Sequence, residues 1–153
     1  MNFIGLAKDI HLLKKIKSNI VLGGYKYKSE YTIVAYSDGD IILHAITNAI
    51  LGACGLRDIG YYFSDKLAIN KKIPSTKILN FALKKMWSKH LKIQNIDLMI
   101  VCDKIMINKK HQQIMTSLHK LLSTKNISLK ATRFEQNKNL IEVNAIALLG
   151  RNK

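Results

Sequence analysis

The chain has 153 residues, 48% of them hydrophobic and 23% charged, with one Pro, eight Gly and a formal net charge of +15. That size and composition suit one domain with a real core, here residues 1–153, and exclude a disordered tail, a disulfide-stapled peptide and a repeat array. The charge raises nucleic acid or anionic lipid as partners. Of the 25 basic residues, however, only Arg57, Arg133 and Arg151 are Arg, the type that base reading and bidentate phosphate clamps favour. Lys, Ile, Asn and Tyr are abundant and share A/T-rich codons, so compositional drift accounts for a lysine-rich surface.

In chain order, residues 2–6 read as a strand, and Asp9-Ile10-His11 as an extended piece. Residues 14–18 form a basic loop. Asn19-Ile20-Val21-Leu22, Gly23-Gly24 and Tyr25-Lys26-Tyr27 predict a β-hairpin. Ile33-Val34-Ala35 is a short apolar piece. Ser37-Asp38-Gly39-Asp40 opens a helix, where Ser or Asp can cap free N–H groups. Ile42, Ile46, Ala49 and Ala53 follow at helical spacing, and Gly55 stops the helix. Residues 57–72 are irregular. A second helix begins after Pro74-Ser75 with Ser75 as cap, burying Ile78, Phe81, Ala82, Met86 and Trp87. Residues 95–102 are a strand, 109–123 a third helix, and 127–131 and 141–149 two closing strands. The pattern predicts an α+β fold, a mixed sheet with helices on one face.

Cys54 and Cys102 sit in apolar runs outside any CxxC pair, which predicts buried free thiols in a reducing compartment. The opening residues lack the basic start of a targeting segment. The longest apolar stretch, residues 41–56, is too short to span a bilayer and carries His44, Thr47 and Asn48. A soluble protein without a membrane partner is expected, cytoplasmic or in an organelle after removal of a presequence.

Chemistry concentrates at a few positions. Asp9 and His11 point to one side of an extended chain, as half of a metal site or as an ordinary surface pair. His44 is the natural third ligand, or else a satisfied core or solvent-facing histidine. Asp58-Ile59-Gly60 lets the backbone approach a ligand, or forms a simple turn. Thr132 and Glu135 offer a hydroxyl and a hard oxygen ligand, or form an ordinary solvated strand end.

Together these residues resemble a known family. Ser37-Asp38-Gly39-Asp40-x-x-Leu43-His44-Ala45 with Thr47, then Leu51-Gly52-Ala53 and Asp58-Ile59-Gly60-x-x-Phe63-x-Asp65, resemble the signature of 2-C-methyl-D-erythritol 2,4-cyclodiphosphate synthases. Asp9-Ile10-His11, Leu22-Gly23-Gly24, Asn95-Ile96-Asp97, Lys130-Ala131-Thr132-x-x-Glu135 and Ala145-x-Ala147-Leu148-Leu149 extend the likeness over the whole chain. The resemblance implies an α+β homotrimer with sites between subunits. It implies cyclisation of a cytidine diphosphate-linked methylerythritol 2-phosphate with release of CMP, in non-mevalonate isoprenoid biosynthesis. Asp9, His11 and His44 would hold Zn²⁺. Ser37, Asp58, Ile59, Gly60, Phe63 and Asp65 would line the substrate. Thr132 and Glu135 would be catalytic and flank the diphosphate, with Glu135 near a second ion, Mg²⁺ or Mn²⁺.

The chain departs from the family at Tyr36 (usually His), Asn48 (Asp), Arg133 and Phe134 (Thr-Thr), and Lys104 to Ile107 (Ala-Pro-Lys-Met). Gln136-Asn137-Lys138-Asn139 replaces a Gly-rich loop. Two alternatives follow: an impaired homologue keeping fold and metal site, and, in another class, a basic nucleic-acid-binding domain.

Overall fold

A computed structural model describes residues 1–151. Its strands are β1 (Asn2–Lys14), β2 (Ser18–Leu22), β3 (Tyr25–Ser29), β4 (Thr32–Ile33), β5 (Leu91–Cys102), β6 (Ile127–Thr132) and β7 (Leu140–Arg151). Its α-helices are α1 (Ile41–Ala53), α2 (Ile59–Tyr62), α3 (Ser75–Ser88) and α4 (His111–Leu122). Five strands form one sheet in the order β4-β1-β7-β5-β6, and β2 and β3 form a separate hairpin. The sheet is mixed, because β5 and β6 run parallel while its other neighbours are antiparallel.

Period-two patterning gives this sheet one dry face. Ile96, Leu98 and Ile100 of β5 and Ile141, Val143, Ala145, Ala147 and Leu149 of β7 are buried against the helices. α1 is apolar almost all round, as a central helix must be, and lies across β1 and β7 with α3 on its flank. At its closest approach there is no room for a side chain on the strand. A Cβ on Gly5 would stand 1.8 Å from the Ala49 carbonyl oxygen. The opposite face of β1 is unusual, since Ile4 (71%), Leu6 (72%), Ile10 and Leu12 are all exposed.

The start of α1 is a knot of main-chain contacts. Asp40 is its N-cap and accepts from the Leu43 N–H at 3.1 Å. The same fully buried carboxylate accepts from Gly23 and Gly24 N–H at 2.8 and 2.6 Å, fastening the hairpin turn to the helix. Burial pushes its pKa up, and these N–H groups pull it back.

The architecture matches the expected α+β class, and both cysteines are buried and free. Four local expectations are corrected. β1 is one continuous strand, because β7 pairs with it from Asn2 to Leu12. The basic loop shrinks to residues 15–17, since β1 runs through Lys14 and β2 starts at Ser18. Ser75 does not cap α3: the N-cap is Pro74, and Asp38 accepts from the Ser75 N–H at 2.9 Å and from its hydroxyl. Trp87 is 54% exposed, outside the buried face formed by Ile78, Leu79, Ala82, Leu83 and Met86. The irregular region also contains α2 and a 3-10 turn at Ala68–Asn70. Among the described residues, no helix is long and apolar enough to cross a membrane. Residues 152 and 153 of the expected domain lie outside the described residues.

Candidate metal centre

Asp9 and His11 share the face of β1 that α1 covers, because alternate strand residues point the same way. His44 lies in the first turn of α1, aimed back at that strand. Asp9 Oδ2 is 3.2 Å from His11 Nε2 and 3.6 Å from His44 Nδ1. One ligand atom from each of the three residues lies within 4.8 Å of the others. A tetrahedral site with bonds of about 2.1 Å separates its ligand atoms by roughly 3.4 Å, so little movement is needed to close on a cation.

The far nitrogens are held too. His11 Nδ1 lies 2.8 Å from the Val34 carbonyl oxygen, which can only accept. Nδ1 therefore carries the proton, and in the neutral ring Nε2 turns its lone pair toward Asp9. His44 Nε2 lies 3.2 Å from Ser37 Oγ, which leaves Nδ1 facing the same carboxylate. A carbonyl or hydroxyl behind each imidazole is the usual way to fix its tautomer for a metal.

Without a metal, three electron-rich atoms face one another, and protons must relieve the conflict. The Asp9 hydrogen bond is the main cause that raises the His11 pKa. For Asp9, burial opposes ionisation, but hydrogen bonds and charge from His11 and His44 outweigh it. They hold the carboxyl well below the usual carboxylate range. A divalent ion relieves the same conflict, so the donor set fits one.

The other predicted residues divide into two groups. Asp58 caps α2, accepting from Tyr61 N–H at 2.9 Å, and Ile59 N–H donates to Asn48 Oδ1 at 2.9 Å. Asn48 lies one turn beyond His44 on α1, so residues 58–60 are tied to the metal side of that helix. Gly60 and Asp65 are exposed, whereas the Phe63 ring packs edge-on against Phe81 at 5.2 Å. The second group is remote. Thr132 is level with Ile10 through Val101 and Glu142, on the face away from α1. Three strand spacings of about 4.8 Å put β6 roughly 14 Å from β1. Thr132 and Glu135 therefore do not meet Asp9, His11 and His44 within this chain.

Thr132 instead lines a cavity of about 100 Å³ with Cys102, Asp103, Ile105, Asn108 and Arg133. Sequence reasoning missed Val34, whose contribution is a carbonyl and so leaves no side-chain signal. It also missed Asp103, which belongs to no motif.

Comparison with known proteins places this geometry in a family. A model of the YgbB family matches residues 2–150, and the chain belongs to that family. The 2-C-methyl-D-erythritol 2,4-cyclodiphosphate synthase of Mycoplasmoides gallisepticum is 38% identical over 151 residues, covering 98% of this chain and 97% of that protein. The enzyme of that name from Hydrogenobaculum sp. is 43% identical over 150 residues, covering 95% and 96%. A solved structure of Plasmodium falciparum IspF in complex with CDP superposes with a TM-score of 0.87 at 29% identity, covering 99% of this chain and 97% of that one.

Proposed function

We propose that the chain is a metal-dependent cyclodiphosphate synthase, one domain over residues 1–153. It converts 4-diphosphocytidyl-2-C-methyl-D-erythritol 2-phosphate to 2-C-methyl-D-erythritol 2,4-cyclodiphosphate and CMP in non-mevalonate isoprenoid biosynthesis. The observation that carries this reading is the convergence of Asp9, His11 and His44, each imidazole fixed from behind. Zinc is the ion that a carboxylate and two imidazoles suit best, leaving a fourth position open.

In the reaction, an oxygen of the substrate's 2-phosphate attacks the β-phosphorus of the diphosphate. The bond from that phosphorus to the bridging oxygen breaks, and CMP leaves with the electron pair. Two anions must meet in line, so positioning and charge neutralisation supply most of the acceleration. Bound metal would supply Lewis-acid neutralisation of phosphate charge. Asp9, His11 and His44 hold that ion. Ser37 orients His44 and touches substrate. Asp58 with the Ile59 and Gly60 backbone binds the methylerythritol hydroxyls, beside Phe63 and Asp65. Thr132 and Glu135 act as the catalytic pair at the diphosphate, with Glu135 near a second ion, Mg²⁺ or Mn²⁺.

Because the two groups are far apart in one chain, the reading requires a composite site between subunits of a homotrimer. The apolar outer face of β1 supports it, since Ile4 and Leu6 need a cover. Two buried free thiols agree with a reducing cytoplasm or organelle. A catalytically impaired homologue draws no support over this reading, because all three ligand positions are intact. The excess of lysine suits an anionic substrate without calling for nucleic acid. Incubation with the cytidine-linked substrate tests the proposal: CMP should appear at a rate that falls on chelation and returns with zinc. Zinc-loaded protein that releases no CMP would overturn it.

A further inference from the structure

Asp103 follows the last residue of β5 and faces the loop that leaves β6. One oxygen accepts from the Phe134 N–H at 2.9 Å and the other from the Lys138 N–H at 2.8 Å. The Glu135 and Gln136 N–H groups also favour the charged form of this carboxylate. Desolvation acts to raise its pKa, but these four main-chain donors outweigh that and lower it. The loop needs such an anchor. Glu135 and Asn137 both hold left-handed backbone, with φ of 60° and 54°, a conformation unfavourable for residues with a Cβ. Residues 135–139 are exposed, so packing contributes little. A second tie, from Lys104 Nζ to Asn137 Oδ1, starts from the residue after Asp103.

The same loop begins at one wall of the cavity of about 100 Å³. Ala131, Thr132 and Arg133 form that wall, and Cys102, Asp103 and Ile105 to Asn108 form the other. Asp103 thus joins the two walls through hydrogen bonds of its carboxylate. We propose that Asp103 is a positioning residue. It shapes the 132–138 loop so that Thr132, Arg133 and Glu135 converge on the phosphates of a cytidine nucleotide seated between these walls. This rests on the synthase reading for the identity of the ligand, while the shaping of the loop stands apart from it.

The test compares wild type with Asp103→Ala and Asp103→Asn. Calorimetry reads CDP binding, amide exchange reads loop protection, and turnover is split into KM and kcat. In Asp103→Ala, the Phe134 and Lys138 amides should exchange at least tenfold faster, with those of β5 and β7 unchanged. CDP affinity should fall at least tenfold, KM should rise by a similar factor, and zinc content should stay the same. Asp103→Asn keeps one acceptor oxygen and should fall between. Wild-type CDP affinity and wild-type exchange at both amides in Asp103→Ala would overturn the proposal. Should the alanine variant lose its zinc and fold, unchanged CDP affinity in Asp103→Asn would do so. Should wild type itself bind no CDP, the synthase reading fails, and exchange at the two amides alone decides whether Asp103 shapes the loop.

Discussion

His44 Nε2 sits 3.2 Å from Ser37 Oγ, and the opposite nitrogen of the same ring faces Asp9 Oδ2 at 3.6 Å. The serine thus sets which edge of the imidazole is offered to a cation. His44→Ala should lower zinc from about one ion per chain to near zero, read by elemental analysis of purified protein. Ser37→Ala should keep the ligands and weaken zinc binding about 10- to 100-fold, the usual cost of losing a supporting hydrogen bond. Equal zinc in wild type and His44→Ala would count against the assignment.

Zinc affinity should depend on pH in a definite direction. A ligand must lose its proton before it can bind metal. In the metal-free chain the Asp9 hydrogen bond raises the His11 pKa above the ordinary histidine value of about 6.5. Proton competition therefore begins above that pH and grows as the pH falls. Asp9, with its pKa lowered, stays ionised throughout. Chelator competition should show affinity dropping by about tenfold per pH unit below the His11 pKa. A flat profile between pH 8 and 5.5 would exclude His11 as a ligand.

Gly5→Ala should be among the most damaging small substitutions in the molecule. The new methyl would overlap the Ala49 carbonyl oxygen, which is main chain and cannot swing aside. Overpacking of this kind costs about 1–3 kcal/mol, and the only relief is to lift α1 from β1. His44 rides on α1 and Asp9 on β1, so thermal melting and zinc affinity should fall together. A variant with a lower melting temperature and intact zinc binding would show that the helix yields elsewhere.

Leu6→Lys should act on assembly and leave the chain's own fold alone. Leu6 is 72% exposed on a face with Ile4, Ile10 and Leu12. Light scattering should find wild type near three times 17.4 kDa and the variant near one, with little change in far-UV circular dichroism. CMP release should disappear with the trimer, because Thr132 and the metal ligands lie too far apart in one chain. Wild type that runs as a clean monomer would remove the composite site.

Much of this was legible in the sequence because period and caps are local. The alternation in β5 and β7 and the helical spacing of Ile42, Ile46 and Ala49 predicted their elements. The family resemblance, carried by Asp-x-His and by a histidine inside a capped helix, pointed to the three side chains that converge. What stayed hidden depends on distant partners. Ser75 looks like a cap from its neighbours, yet Asp38 reaches it across 37 residues of sequence. Trp87 falls near the apolar stripe of α3, but more than half of it stays exposed. Asp103 carries no motif, since its partners are main-chain N–H groups that every loop possesses. The remoteness of Thr132 and Glu135 from the metal ligands depends on strand order, which no spacing encodes.

The pairing of β1 with β7 has a consequence for biosynthesis. Asn2 lies opposite Gly150 and Leu12 opposite Leu140, so the first strand to leave the ribosome waits for the last before it gains its long neighbour. Until then most of β1 has no strand partner, and Ile4, Leu6, Ile10 and Leu12 line one exposed face of it, open to adventitious pairing. Closure of the sheet is therefore a late event, and Asp9 and His11 gain their strand backing, opposite Val143 and Ile141, only then.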